Sequence, residues 1–164
     1  MPHTMKRLFV YCLAGVFCAL LMSSCLGESK SSPHLQVASL MTRTSLAGVT
    51  DTIAPSDSLQ VGDTARLGIY LYGFANYLNS FTVNYDEDML VSLGWNEADS
   101  AYLSPAADPE KGMLYFRPEA VYSCVTIMTF VPRTSGTHRL DMYLASSAGS
   151  PYSPMQYYYD VKVK

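Results

Sequence analysis

The chain has 164 residues and a net charge of −3, with 11 basic residues against 14 acidic ones. The basic residues are scattered, so the sequence lacks the clustered Lys/Arg footprint of a nucleic-acid binder. The length suits one domain that buries its own core without covalent staples.

Lys6 and Arg7 precede the apolar run Leu8 to Met22. That run has the length of a signal h-region and falls short of the roughly 20 residues a membrane-spanning helix needs. Ser23 and Ser24 then lead to Cys25, the arrangement of a bacterial secretion signal ending in a lipid-attachment cysteine. Met22 stands where leucine is more usual. The expected chemistry is alkylation of the Cys25 thiol with diacylglycerol, removal of residues 1–24 and acylation of the new amino terminus. A single acyl chain binds membranes only marginally, at about 0.8 kcal/mol per buried methylene, whereas two or three hold almost permanently. Without Lys6 and Arg7, nine basic residues face 14 acidic ones, and the mature chain carries −5.

Cys12 and Cys18 leave with the signal, Cys25 takes lipid, and Cys124 remains without an intramolecular disulfide partner. In the run Ser123-Cys124-Val125-Thr126-Ile127 it reads as a small buried hydrophobe. No motif sets His34 or His138 beside it as a catalytic partner.

Residues 25–33 form the lipidated cysteine and a Gly/Ser/Pro tether, and residues 34–164 the folded domain. From His34 onward the pattern is that of strands. Leu35 to Leu40 is a first strand, and Thr42 to Asp63 a polar connection with a short strand near Ile53. Thr64 to Tyr72 alternates, with Ala65, Leu67, Ile69 and Leu71 on one face and Arg66, Gly68, Tyr70 and Tyr72 on the other. After a turn at Gly73 and Asn76, the alternation sets Tyr77, Phe81, Val83 and Tyr85 inward and Leu78, Ser80, Thr82 and Asn84 outward. Strands follow at Met89 to Leu93, Met113 to Arg117 and Ser123 to Val131. Thr137 to Ser146 buries Leu140, Met142 and Leu144 and turns Arg139, Asp141 and Tyr143 out. The last strand buries Met155, Tyr157, Tyr159, Val161 and Val163, with Tyr158 outward.

No segment sustains a helical period with caps. Seven or eight short strands separated by turn signals predict an all-β, antiparallel, immunoglobulin-like sandwich. The segment Pro132 to Met142 followed by Tyr159-Asp160-Val161-Lys162-Val163 resembles the last two strands of bacterial immunoglobulin-like domains, and Val61-Gly62-Asp63-Thr64 resembles an earlier strand start in them. With Asn76 to Phe81 and the lipobox-like Cys25, the chain resembles small Bacteroidales lipoproteins of unknown function. The resemblance implies a fold, an outer-membrane anchor and no catalytic residues. Surface-exposed lipoproteins of that group carry acidic residues after the cysteine; here Glu28 stands beside Lys30, which leaves the leaflet open.

Asp86, Glu87 and Asp88 are the densest acidic cluster. Carboxylates there could join a calcium site, but the alternating ligand loop with its glycine is missing and a solvated turn is the expected reading. No nucleophile elbow, zincin helix, phosphate loop or Cys-x-x-Cys occurs, so neither catalysis nor a cofactor or metal is expected. Tyr70, Tyr72, Tyr143 and Tyr158 fall on the outward parity of their strands and form the candidate ligand or partner surface. Aromatic faces with hydroxyl tips suit sugars and protein partners, while cross-strand stacking is the plainer role. The expectation is a lipid-anchored, non-catalytic binding or assembly module for an envelope protein. Its rivals are a carbohydrate-binding module and a pilin-like or adhesin-like subunit.

Overall fold

The structure, a computed structural model, describes residues 31–95 and 101–164. Cys25, the signal segment and the first part of the tether lie outside the described residues.

Among the described residues nine strands form two antiparallel sheets: β1 (His34–Thr44), β2 (Thr50–Ile53), β3 (Thr64–Tyr72), β4 (Leu78–Asn84), β5 (Met89–Gly94), β6 (Met113–Tyr115), β7 (Ser123–Pro132), β8 (Gly136–Ser146) and β9 (Met155–Val163). One sheet runs β2-β1-β3-β7-β5 and the other β6-β4-β8-β9. With β2 and β6 set aside, these orders are the A-B-E-D and C-F-G sheets of a constant-type immunoglobulin sandwich. The two extra strands bring the total to nine rather than the expected seven or eight. Both are short edges, β2 beside β1 and β6 beside β4. A 3-10 turn, Pro109–Lys111, leads into β6.

Alternation builds the core. Ala65, Leu67, Ile69 and Leu71 of β3 are wholly buried, and Phe81, Met128, Phe130, Leu140 and Leu144 face them across the sandwich or along it. Each such side chain removes apolar surface worth about 1.5–3 kcal/mol from water. Thr126 occupies an inward position on β7, and its hydroxyl donates to the Gly94 carbonyl at 2.8 Å, so the buried oxygen is not left unpaired.

The parity expected for β4 fails at its start. Leu78 is fully buried, although alternation sets it outward, because pairing with β8 shifts register between Leu78 and Ser80. The extra residue lets Leu78 and Phe81 both face inward. A second irregularity, between Val37 and Met41, lets β1 continue to Thr44, beyond the Leu40 at which polarity set its end.

The last residues of the expected tether are held on the body. Asn76 Nδ2 donates to the Ser31 carbonyl at 3.1 Å, and the Tyr157 hydroxyl donates to the Pro33 carbonyl at 2.9 Å. Tyr159 reaches the Pro55 carbonyl at 2.8 Å, and burial pushes its phenol pKa up to about 12.

Candidate functional site

The four tyrosines of the sequence reading point outward and divide between the two sheets. Tyr70 and Tyr72 lie on β3, in the five-stranded sheet, and Tyr143 and Tyr158 on β8 and β9, in the four-stranded one. They therefore cover opposite outer faces and do not make one surface.

Tyr143 and Tyr158 are engaged in cross-strand contacts. Gln156 Nε2 donates to the Tyr143 hydroxyl at 2.7 Å. The Arg139 guanidinium sits 5.2 Å from the centroid of the Tyr158 ring. Asp160 holds that guanidinium in place, accepting from Nε at 2.8 Å and from Nη2 at 3.2 Å. The pairing with Asp160 raises the Arg139 pKa, and Arg139 in turn lowers that of Asp160.

On the five-stranded sheet several outward positions are apolar. β3 and β7 pair Tyr70 with Val125 and Gly68 with Ile127, while β5 and β7 pair Leu90 with Val131. Val125 is 57% exposed, Ile127 50%, Leu90 48% and Tyr70 37%. Directly opposed residues share a face, so Tyr70, Val125 and Ile127 form one patch across β3 and β7, and the polar row Arg66–Thr129–Ser92 separates it from Leu90 and Val131.

At one end of the sandwich, Trp95, Tyr102 and Tyr122 wall an open cleft of about 550 Å³. Sequence parity could not find it. Trp95 follows β5, Tyr102 lies in the loop before β6, and Tyr122 precedes β7, so only the fold brings them together. Trp95 packs against Phe116 with ring centroids 5.7 Å apart, as a cap on the core. Tyr122 stacks on Tyr77 at 4.1 Å. Cys124 is half-buried, packs on the core and reaches the cleft wall.

The acidic turn at Asp86–Asp88 is tied into the structure at the other end. Asp86 Oδ1 accepts the Asp88 amide at 3.2 Å, and Oδ2 lies 3.3 Å from His138 Nδ1. His138 is buried on β8, and its Nε2 faces the Thr134 carbonyl at 3.0 Å. Burial works against the imidazolium, but the Thr134 carbonyl and the Asp86 and Asp88 carboxylates outweigh it and raise the His138 pKa above 6.5. His138 thus partners Asp86, a role no motif announces. Among the described residues no three His, Cys, Asp or Glu side chains gather as metal ligands, and no helix is long and apolar enough to cross a membrane.

Fold and surfaces define an immunoglobulin-like β-sandwich with an apolar sheet face and an aromatic cleft at one end. No family model matches the chain, and no curated protein matches its sequence. Among solved structures it is similar to a family 123 glycoside hydrolase from Clostridium perfringens, with 9% identity and a TM-score of 0.42. That match covers 81% of this chain and 27% of the other, so the chain spans about a quarter of that protein. A likeness of this degree carries no argument about function.

Proposed function

We propose that this chain is a lipid-anchored protein of a Gram-negative outer membrane whose sandwich is a non-catalytic module that binds another envelope protein. The observation that carries the reading is the exposed apolar patch of Tyr70, Val125 and Ile127 on the five-stranded sheet. Apolar residues contiguous across strands and bare to water are the usual mark of a protein-binding face. The lipobox-like Cys25 supports the anchor.

The test is a photo-activatable residue placed at Ile127 in cells carrying their native envelope. A discrete cross-linked partner, absent when Val125 is changed to Lys and absent from a probe at Tyr158 on the opposite sheet, supports the reading. The same diffuse background from Ile127 and Tyr158 overturns it.

The cleft of Trp95, Tyr102 and Tyr122 favours a second reading, a carbohydrate-binding module, because sugar rings stack on such walls. Glycan-array binding lost on Tyr122→Ala supports it, and no binding across a broad array counts against it. The pilin-like reading has less support, since β9 fills the last-strand place from the chain itself, paired with β8 from Gly136–Val163 to Leu144–Met155.

A further inference from the structure

The body's two ends differ in chemistry, and the chain's amino-terminal side leaves from one of them. The loops Gly73–Tyr77, Pro118–Tyr122 and Ser147–Pro154 meet at that end: Gly73 N–H donates to the Tyr122 carbonyl at 2.7 Å and Ser147 N–H to the Tyr77 carbonyl at 2.9 Å. Together they carry four aromatic residues, Phe74, Tyr77, Tyr122 and Tyr152, and one charge, Glu119. Phe74 is 58% exposed at φ +56, a left-handed backbone that a bulky side chain rarely adopts, so the loop holds an apolar ring out to solvent against a conformational cost.

The far end carries the opposite chemistry. Its turns at Tyr85–Asp88 and Arg133–Ser135 hold Asp86, Glu87, Asp88 and Arg133, and Lys162 and Lys164 at the end of β9 lie beside them, so charge of both signs gathers here. Its exposed apolar residues Leu46 and Val49 sit on the β1–β2 turn.

The chain that joins the body to Cys25 leaves beside the aromatic end. Asn76 fastens Ser31 there, and five residues lie between Ser31 and Cys25. Even fully extended, that connection reaches only about 20 Å. The 11 residues of β8 run from the charged end to the aromatic one, a span of about 35 Å. A lipid on Cys25 therefore confines the aromatic end to the bilayer surface and leaves the charged end free to stand away from it.

Resting on the anchor reading of Cys25, we infer that the aromatic end is a membrane-docking surface, with Phe74, Tyr122 and Tyr152 set into the headgroup interface. Aromatic rings partition to that zone, and the three loops carry one charge, Glu119, with Arg117 just before them. The charged residues gathered at the far end stay in water, away from the interface. Docked in this way, the strands stand up from the bilayer, and the Val125–Ile127 face looks along the membrane plane.

The test uses full-length protein, processed in its host, extracted and reconstituted in phosphatidylethanolamine–phosphatidylglycerol vesicles. Nitroxide labels are placed by Phe74→Cys, by Ala75→Cys as a milder neighbour, and by Leu46→Cys at the far end, all in a Cys124→Ser background. The readout is the ratio of collisions with lipid-soluble oxygen to those with a water-soluble nickel complex, alongside the intact mass of the mature amino terminus. The inference expects a ratio several-fold higher at position 74 or 75 than at 46. An acylated Cys25 with all three labels equally water-exposed overturns docking and leaves the anchor standing. An unmodified amino terminus with labels 74 or 75 still in the interface overturns the anchor and supports docking. An unmodified terminus with water-exposed labels overturns both.

Discussion

At His138 both imidazole nitrogens face acceptors, the Asp86 carboxylate at Nδ1 and the Thr134 carbonyl at Nε2. Only the doubly protonated ring donates to both. Its pKa is raised on folding, so its contribution is complete below the unfolded value of 6.5 and is lost as pH rises through the folded value. Thermal melts at about pH 6 and about pH 8 should show a larger loss for the parent than for His138→Gln. Equal losses would contradict a charged His138. Gly73 is constrained differently: a Cβ there would lie 2.1 Å from the Asn76 carbonyl oxygen, inside the turn that Asn76 N–H closes on the Gly73 carbonyl. Gly73→Ala should lower stability by about 1–3 kcal/mol in urea unfolding, as steric crowding of a packed site does. A change within about 0.5 kcal/mol would mean the turn opens freely.

Strands were legible where alternation ran unbroken. β3 and β8 bury the residues their parity predicts, because a period of two admits one inward face, and β9 buries Val161 and Val163 while leaving Met155, Tyr157 and Tyr159 half-buried. β4 was misread at Leu78, since a bulge depends on the partner strand and leaves no mark in local composition. Two substitutions separate the structure from simple alternation. Leu78→Ala should cost about 2–5 kcal/mol, as core truncations do. Ser80→Ala on the same strand should stay within about 0.5 kcal/mol. Chemical denaturation that ranks Ser80 above Leu78 would place the bulge wrongly. The extension of β1 was muted for a similar reason: beside the short edge strand β2 it carries polar Thr and Arg, with Arg43 paired to Asp51 rather than buried apolar side chains.

For the molecule as a whole, which face a tyrosine takes was readable, and which sheet it joins was not. Sheet membership follows from pairings far apart in sequence, such as Tyr70 with Val125, and it sends Tyr70 and Tyr158 to opposite outer faces. The same long-range closure builds the cleft from Trp95, Tyr102 and Tyr122, which share no periodic signal. The apolar patch, the aromatic end and the exit of the chain beside Asn76 take on meaning together once the body is held at a membrane. The account therefore turns on Cys25, and the intact mass of protein extracted from the envelope tests it most directly. It predicts a mature chain beginning at Cys25 and carrying diacylglycerol and an amide-linked acyl group; a chain that begins at another residue, or an unmodified Cys25, would contradict it.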